Sequence, residues 1–447
     1  MKIKSVTVGG FKNLKRSTIL LENITAIISP NNYGKSNFLE AIDFGVDFIS
    51  SNPKGRKNMM KWMRGIPINK SIQNDEFYFE IEMEDESLNE YRFIRYGFTF
   101  RWYRDDGNGQ KITNEWIDTR PSESVRYTSF LKRDEGKYRK SRDTISFRNI
   151  NLEESQLAID VLSSIDDIDI NPVIKAIRQI DYHVCSSLDL GDRFQASPIE
   201  YIDEDNDGCI SFDDKDVPRA LFQLKEQYPE KYDLFLEAVY SLFPEFTDVS
   251  IKSAVLNANI KSQNLNVIIS AEEGTPIHTT LEEAQAEIPF KIREEIYSII
   301  ITNKNLNQSI NISMMSTGTK RLFWLLANVF IASAKGMSFI GVEELETSIH
   351  PRLLKKLLEI LDEVLEDTSL IISSHSPFLV QYIKTEKIYV GMPNDSGTAD
   401  FRKTKSSKSK ALIKTARDNG MAVGEYLFEL MSGDSDAIEM LSFYLED

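Results

Sequence analysis

An eight-residue turn between a strand pattern and a helix pattern is the feature that most constrains this chain. Residues 24–28 (ITAII) are almost wholly apolar, as expected of a buried strand, and apolar side chains at helical spacing follow between residues 38 and 48. The turn between them, residues 29–36, reads SPNNYGKS. This is the phosphate-loop pattern G-x-x-x-x-G-K-[ST] with serine in place of the first glycine. The pattern predicts an α/β domain that binds a phosphorylated ligand.

The chemistry of the pattern assigns a role to each part of this turn. Backbone N–H groups of the loop and of the helix start point at phosphate oxygens, where the helix dipole also favours negative charge. Lys35 is predicted to reach the β- and γ-phosphates of ATP, and the Ser36 hydroxyl to ligate Mg²⁺. If the position of Ser29 requires a positive φ, serine costs about 1 kcal/mol there. The nucleotide-binding residues predicted in this turn are Asn31, Asn32, Gly34, Lys35, Ser36 and Asn37.

A pair of carboxylates follows a second buried-strand pattern. Residues 337–342 (MSFIGV) lead directly into Glu343 and Glu344. In a phosphate-loop ATPase the first acid after the neighbouring strand holds Mg²⁺ through water, and the second polarises the attacking water. Glu343 is therefore a predicted metal ligand, although aspartate is commoner there, and Glu344 is the predicted general base. The alternative is an acidic helix start, since glutamate is stabilising at a helix N-terminus.

A serine–glycine turn and two histidines complete the set of polar features. Residues 316–320 (STGTK) precede an apolar helix pattern, and a Ser-x-Gly turn at a helix start exposes a hydroxyl and N–H groups that form an anion site. An ordinary N-cap explains the same serine. His350 lies shortly after the carboxylates, and His375 follows the apolar strand pattern at 369–373.

These four elements, in this order, resemble the ABC-type ATPase heads of the SMC/RecF group, and most closely the OLD-like ATPases of bacterial anti-phage systems. The resemblance makes residues 6–21 a β-hairpin that precedes the Walker A loop. The family motif DEPExxLHP is similar to residues 343–351, which read EELETSIHP. Under the resemblance, Glu344 and His375 are the catalytic acid and the switch histidine. The residues assigned to ATP outside the loop are Lys12, Ser316, Gly318 and Lys320.

The resemblance also implies how such a chain works. Signature residues of one protomer cap the γ-phosphate held by the partner's Walker A loop, so that ATP is buried in a homodimer or a higher homo-oligomer. Hydrolysis or release then opens the assembly. The chain is expected to be a stand-alone ATPase subunit of the AriA or PtuA kind, which controls a separate effector protein, a nuclease.

A second hypothesis comes from the RecF and SMC side of the same resemblance. In it, ATP clamps the protein on DNA for repair or maintenance, with a basic footprint in segment 126–148 and in the tail (Arg402, Lys403, Lys405, Lys408 and Lys410). Such a basic run is also typical of a solvated face. A transporter subunit is disfavoured by the DEPE/LHP-like motif and by the aromatic-rich segments 77–83 and 91–103, which are predicted to be antiparallel strands.

The predicted fold class is α/β, an ABC-ATPase (P-loop NTPase) head with a mixed central sheet, an antiparallel β lobe and an inserted mainly helical region. Helical spacing is found at 153–180 and 217–243. The predicted segments are an N-terminal ATPase lobe at 1–110, an inserted region at 111–300, a C-terminal ATPase lobe at 301–400, and a linker with a helix at 401–447.

Composition narrows the setting in which such a chain acts. Two cysteines are too few for a disulfide framework, and no apolar run approaches the length needed to span a bilayer, so a cytoplasmic protein without a membrane partner is predicted. A net charge of −16 argues against a generally DNA-coating surface.

Two features remain open at the sequence level. Residues 203–214 fit an EF-hand Ca²⁺ loop except for aspartate at position twelve, and an acidic surface turn explains them better because no paired loop exists. Gln73 and Gln195 are the candidates for the family's Q-loop glutamine.

Overall fold

The computed structural model of the chain divides into two compact units. The first comprises Met1–Ser186 and Lys335–Asp447, and the second comprises Ser187–Ala334. These limits differ from the four segments predicted from the sequence, because strands on both sides of residue 110 share one sheet. The structure describes residues 1–61, 66–104, 107, 109–134, 137–140, 148–149, 152–162, 171–185, 192–194, 199–201, 216–255, 266–269, 277–280, 290–292, 295–392 and 396–446.

The first unit contains an eight-stranded antiparallel sheet. Its strands are β1 (Lys2–Gly9), β2 (Ser17–Leu20), β4 (Phe77–Glu84), β5 (Phe93–Arg101), β6 (Lys111–Arg120), β7 (Thr128–Asp134), β8 (Lys137–Lys140) and β9 (Arg148–Asn149). Their order is β2-β1-β4-β5-β6-β7-β8-β9. Alternate residues of β4 are buried, because one face of the sheet packs on the core while the other faces outward. The predicted antiparallel lobe is confirmed.

The second sheet of this unit is the mixed central sheet that the sequence predicted. Its strands are β3 (Ile24–Ile28), β10 (Tyr182–Cys185), β18 (Phe339–Glu343), β19 (Ser369–Ser374), β20 (Ile388–Gly391) and β21 (Phe401–Lys403). The order is β10-β18-β19-β3-β20-β21, parallel except for the edge pair β20–β21. The start of the linker predicted in segment 401–447 is therefore a strand, because residues 401–403 pair with residues 389–391.

Helices of the first unit cover and join these sheets. They are α1 (Lys35–Ser50), α2 (Pro53–Met59), α3 (Ala158–Leu162), α4 (Asn171–Arg178), α8 (Pro351–Val364), α9 (Pro377–Val380), α10 (Ser409–Asp418), α11 (Val423–Ser432) and α12 (Ser435–Tyr444). The tail predicted as a single helix thus contains three, α10 to α12. Helical spacing at 153–180 corresponds to α3 and α4 in the described residues.

Helix α1 is held by an aromatic core. Phe48 of α1 stacks on Phe98 and Phe100 of β5, with ring centroids 4.8 and 4.9 Å apart. Gly45 faces the ring of Phe79, where an added Cβ would lie 2.0 Å from that ring. Each such fully buried ring contributes roughly 1.5–3 kcal/mol. This packing fixes the helix that begins at the phosphate loop, and Phe48→Ala would loosen it.

The second unit combines helices with short antiparallel sheets. Its helices are α5 (Val217–Gln227), α6 (Pro229–Leu242) and α7 (Thr317–Lys335), which ends at the unit boundary. Its strands are β11 (Ile199–Tyr201), β12 (Phe246–Val255), β13 (Asn266–Ile269), β14 (Ile277–Thr280), β15 (Phe290–Ile292), β16 (Glu295–Asn303) and β17 (Ile310–Asn311). The apolar stripe predicted at 217–243 is confirmed as α5 and α6. Among the residues described, no helix is both long and apolar enough to cross a bilayer.

Candidate nucleotide site

Three parallel strands of the central sheet end side by side. In the ladder, Ser374 of β19 pairs with Ile28 of β3, and Glu343 of β18 pairs with Ser373 of β19. The phosphate loop, the paired carboxylates and His375 follow these three strand ends. Ligands bind at this edge in open α/β sheets. The topology therefore brings together the first-unit residues that were predicted from separate parts of the sequence.

The phosphate loop has the backbone shape that its glycine requires. Gly34 has φ 90° and Asn32 has φ 66°, and α1 begins directly at Lys35 without a side-chain cap. The first N–H groups of α1 are thus available to an anion. The residues of the loop that face solvent are Asn31, Asn32 and Ser36.

Lys35 is folded back onto the loop. Its ammonium donates to the carbonyl oxygens of Ser29 and Pro30 at 2.8 and 3.0 Å. Burial lowers the pKa of Lys35, and the carboxylates of Glu344, Glu346 and Glu343 oppose that shift. These carbonyl oxygens are uncharged acceptors. Phosphate oxygens would bind the ammonium more strongly because they are negatively charged.

The serine at the first glycine position carries no backbone strain. Ser29 is not among the described non-glycine residues with positive φ, so the predicted cost of about 1 kcal/mol does not arise. The space comes from the neighbouring strand, where Gly391 lies beside Ser29. A Cβ added to Gly391 would lie 2.6 Å from the Cβ of Ser29. The glycine needed for close packing is therefore on β20 rather than in the loop.

Glu343 and Ser36 form the candidate metal pair. Burial raises the pKa of Glu343, and a hydrogen bond between the Ser36 side chain and the Glu343 carboxylate opposes that shift. An alcohol oxygen beside a carboxylate suits Mg²⁺, which is usually held by one or two protein groups together with water and substrate phosphates. Within the described ranges, no three His, Cys, Asp or Glu side chains form a metal-binding cluster by themselves.

Glu344 is held by both its backbone and its side chain. It has φ 47°, and its N–H donates to the carbonyl oxygen of Ser373 at 2.8 Å. One carboxylate oxygen lies 3.2 Å from Nδ1 of His375, and Thr347 donates its hydroxyl to the other at 3.3 Å. The two residues predicted to be catalytic are thus in contact, and Thr347 is a neighbour that the motif did not single out.

Glu346 and His350, which follow Glu344 in the sequence, each accept a hydrogen bond near the end of the central sheet. Glu346 accepts from the Ser374 hydroxyl at 2.7 Å, and burial raises the pKa of Glu346. His350 caps α8, its Nδ1 accepting from the N–H of Arg352 at 3.3 Å. His350 therefore has a structural task at a helix start, whereas His375 lies beside the candidate base.

The hairpin turn after β1 approaches the loop from another side. Lys12 has φ 50° and forms an ion pair with Glu40 of α1. The next residue, Asn13, accepts from the Asn37 amide at 2.7 Å. Asn37 therefore contacts Asn13, although the pattern assigned it to the nucleotide. Asn13 lies within the family's hairpin, and only its neighbour Lys12 was assigned a role from sequence.

The signature residues lie in the second unit. The Ser316 hydroxyl accepts from the N–H of Thr319 at 3.2 Å and contacts the Thr319 hydroxyl at 2.8 Å. Ser316 is exposed and Gly318 and Lys320 are half-buried at the start of α7. Within one chain, then, the serine is a helix cap, as the simpler interpretation of this turn expects.

Some sequence candidates receive no support here. Gln73 is exposed at the end of a short 3-10 turn (Lys70–Ile72). Gln195 and the whole of the candidate Ca²⁺ loop at 203–214 lie outside the described residues. The same holds for parts of the basic segment 126–148, of which residues 126–134 are described throughout.

The sequence matches a protein family over residues 24–381, a family described as "AAA domain, putative AbiEii toxin, Type IV TA system". The matched region begins at β3 and includes the phosphate loop, the signature turn, the carboxylates and His375. No curated protein sequence matches the chain.

Solved structures that align with the chain include SMC heads and a RecF protein. An SMC head bound to the C-winged helix domain of ScpA aligns with TM-score 0.50 and 14% identity, over 92% of this chain and 100% of that one. The SMC head domain from Thermotoga maritima gives TM-score 0.41 and 12% identity over 91% and 100%. The recombination mediator RecF gives 0.40 and 13% over 89% and 97%. The first alignment shows that the chain has the ABC-type ATPase fold.

Proposed function

Since the chain belongs to the family of AAA domains and putative AbiEii toxins, we propose that it is an ATP-hydrolysing switch that dimerises through shared ATP sites. The observation that carries this proposal is the meeting of three groups at one sheet edge. These groups are Lys35, the Ser36–Glu343 pair and the Glu344–His375 pair. Each is of the kind that phosphoryl transfer to water requires, and they come from three separate strand ends.

Each group has a task in hydrolysis. Lys35 and the N–H groups at the start of α1 bind and orient the phosphates. Ser36 and Glu343 would hold Mg²⁺, which when bound supplies charge neutralisation at the phosphates. Glu344 accepts the proton of the attacking water, and His375 keeps its carboxylate oriented at 3.2 Å.

The second half of each site comes from another copy of the chain. Ser316, Gly318 and Lys320 offer a hydroxyl, a close backbone approach and a cation at a helix start, the elements of an anion site. ATP held by the loop of one protomer would be capped by the signature turn of the other. ATP then shifts the population toward the dimer, and hydrolysis reverses that shift.

The output of the switch is control of a separate effector, a nuclease, in anti-phage defence. Supporting this proposal, the matched family's description names a putative toxin of a type IV toxin–antitoxin system. Co-purification from the native operon with a nuclease, and loss of phage resistance on deletion, are the expected results. No partner and no phage phenotype would contradict this part of the proposal.

Glu344→Gln tests the hydrolytic role, with Glu359→Gln as a matched control because Glu359 is an exposed carboxylate on α8. Loss of a general base lowers kcat by about 100-fold or more. We expect that loss with ATP affinity retained in Glu344→Gln, and unchanged turnover in Glu359→Gln. Equal turnover in both variants would refute the role of Glu344 as the base.

DNA binding is the second candidate function, and one surface favours it. Lys410, Lys414 and Arg417 recur on the exposed side of α10, and within the described residues none of them has an ion-pair partner. A basic stripe along one side of a helix is the electrostatic footprint typical of a nucleic-acid-binding surface. ATP-dependent DNA binding that weakens steeply with salt would support this candidate. Salt-independent or absent binding would dismiss it.

A further inference from the structure

Asn13 joins three segments at the base of the phosphate loop. Its Oδ1 accepts from the Asn37 amide at 2.7 Å, and its Nδ2 donates to the carbonyl oxygen of Gly397 at 3.3 Å. Its backbone carbonyl accepts from the N–H of Ala399 at 2.7 Å. Asn37 is the third residue of α1 and lies in the first turn of the helix whose N–H groups are proposed to bind the phosphates. Asn13 therefore links the N-terminal hairpin to the first turn of that helix.

The same side chain lies against the glycine of the loop. A Cβ added to Gly34 would lie 2.7 Å from Oδ1 of Asn13 and 2.7 Å from the Cβ of Ala399. The loop backbone is thus packed directly on the amide of Asn13. Because no side chain caps α1 at Gly34, the direction of its first turn depends on contacts such as the Asn13–Asn37 bond.

Asn69 provides an internal comparison. Its amide also donates to the 396–397 segment, at 3.1 Å to Ser396 and 3.3 Å to Gly397, and its N–H donates to Lys12 at 2.7 Å. Both Asn69 and Asn13 donate to the carbonyl oxygen of Gly397. In the described part of the chain, however, no hydrogen bond of the Asn69 side chain reaches α1. Asn69 therefore contacts only the 396–397 segment of these two, whereas Asn13 contacts both that segment and α1. Substituting each one separately distinguishes the effect of that segment from the effect of the helix orientation.

We propose that Asn13 is a positioning residue for nucleotide binding, which acts by fixing the first turn of α1 through Asn37. The inference rests on the proposed function, because it assumes that this turn binds ATP. N–H groups that are already held in the binding geometry need not be ordered when phosphate binds. A turn that is loosened must be ordered on binding, and the affinity for ATP therefore falls. Chemistry at saturating ATP depends on Glu344 and is unaffected, so KM changes and kcat does not.

Calorimetric titration with ATP and Mg²⁺ on the full chain tests this inference. For Asn13→Ala we expect the Kd for ATP to rise about tenfold, the effect of losing one good hydrogen bond, with kcat within about twofold of wild type at saturation. For Asn69→Ala we expect a Kd close to that of the wild type. Asn37→Ala should match Asn13→Ala, and the double variant should be no worse than either, because both remove the same bond.

Several outcomes would overturn the inference. An unchanged Kd in Asn13→Ala with only a lower thermal midpoint assigns Asn13 to stability alone. Equal loss of affinity in Asn69→Ala assigns the effect to the 396–399 segment. If Asn13→Ala does not fold, the comparison of Asn37→Ala with Asn69→Ala decides in the same way. A wild type that binds no ATP refutes the proposed function as well, and so is distinguishable from these failures.

Discussion

The phosphate loop and the signature turn are both predicted to bind phosphate, yet their surroundings in the structure differ. Around the loop the functional groups are ordered by contacts within one chain, so that Lys35 is only 7% exposed and Glu344 is held from both sides. At the signature turn Ser316 is exposed and caps its own helix. Two residues earlier, Met314 is 75% exposed.

For the proposed composite site, this difference indicates that the phosphate-loop half is already ordered within a single chain. Buried, paired polar groups are preorganised and need no partner to reach their geometry. An exposed methionine beside an exposed serine is typical of a surface that a partner covers. We therefore expect variants at the loop to change nucleotide binding, and variants at the signature turn to change assembly.

Lys35→Ala should have the largest effect. It removes the buried ammonium that the loop carbonyls hold, so phosphate loses its main cationic contact. We expect affinity for ATP to fall by more than about 100-fold, because a charge-assisted contact in a buried site is worth several kcal/mol. Titration calorimetry measures this effect. Near-normal affinity would show that the loop is not the nucleotide site.

Ser316→Arg should separate binding from assembly. The larger side chain blocks the exposed turn, so we expect normal ATP affinity but turnover reduced at least about tenfold through loss of the dimer. Mixing this variant with Lys35→Ala should restore part of the turnover, because a mixed dimer contains one intact composite site. No restoration on mixing, or a loss of ATP affinity in Ser316→Arg itself, would break the distinction between the two regions.

Gly391→Ala tests the packing that replaces the missing loop glycine. The added methyl group would lie 2.6 Å from the Cβ of Ser29, so we expect a loss of about 1–3 kcal/mol in the free energy of unfolding. Adding Ser29→Gly should recover most of it, because the opposing Cβ is gone. Chemical denaturation of the single and double variants checks this. Additive destabilisation would refute the exchange of glycine positions.

Asp43→Asn should give the smallest effect, and one that depends on pH. Burial, with help from Asp47 and Glu40, raises the pKa of Asp43 to about 6. A raised carboxyl pKa contributes stability below the unfolded value, near 4, and that stability is lost as pH rises through about 6. Asparagine cannot ionise, so we expect a gain of about 1 kcal/mol at pH 8 and almost none at pH 3. Thermal unfolding at both pH values measures it, and an equal gain at both would contradict the cause.

Much of the fold could be predicted because a buried strand or helix shows a recognisable local pattern of apolar residues. Strand β3 lies between neighbours on both edges and in the core, so its five residues form a continuous apolar run. Strand β21 left no such mark, since Phe401–Lys403 is a short edge strand with two basic residues and forms only by pairing with β20. Pairing between distant segments is not visible in local periodicity.

The site divides in the same way. Residues whose chemistry is tied to a motif, such as Lys35 and Glu344, could be predicted from their spacing and neighbours. The positive φ of Glu344 and the hydroxyl contact from Thr347 could not, because they depend on how a turn folds against β19. The role of Asn13 depends on residues 37 and 397, which are far from it in sequence. One usable signal was an asparagine in a turn beside a motif lysine.

Mass photometry of wild type and Glu344→Gln, with and without ATP and Mg²⁺, tests the central claim most directly. The account predicts a 51.2 kDa monomer for both proteins without ATP. With ATP it predicts a species of twice that mass that persists in Glu344→Gln, because the variant binds ATP and does not hydrolyse it. If Glu344→Gln binds ATP by calorimetry and yet shows the same mass with and without ATP, ATP-dependent dimerisation is contradicted.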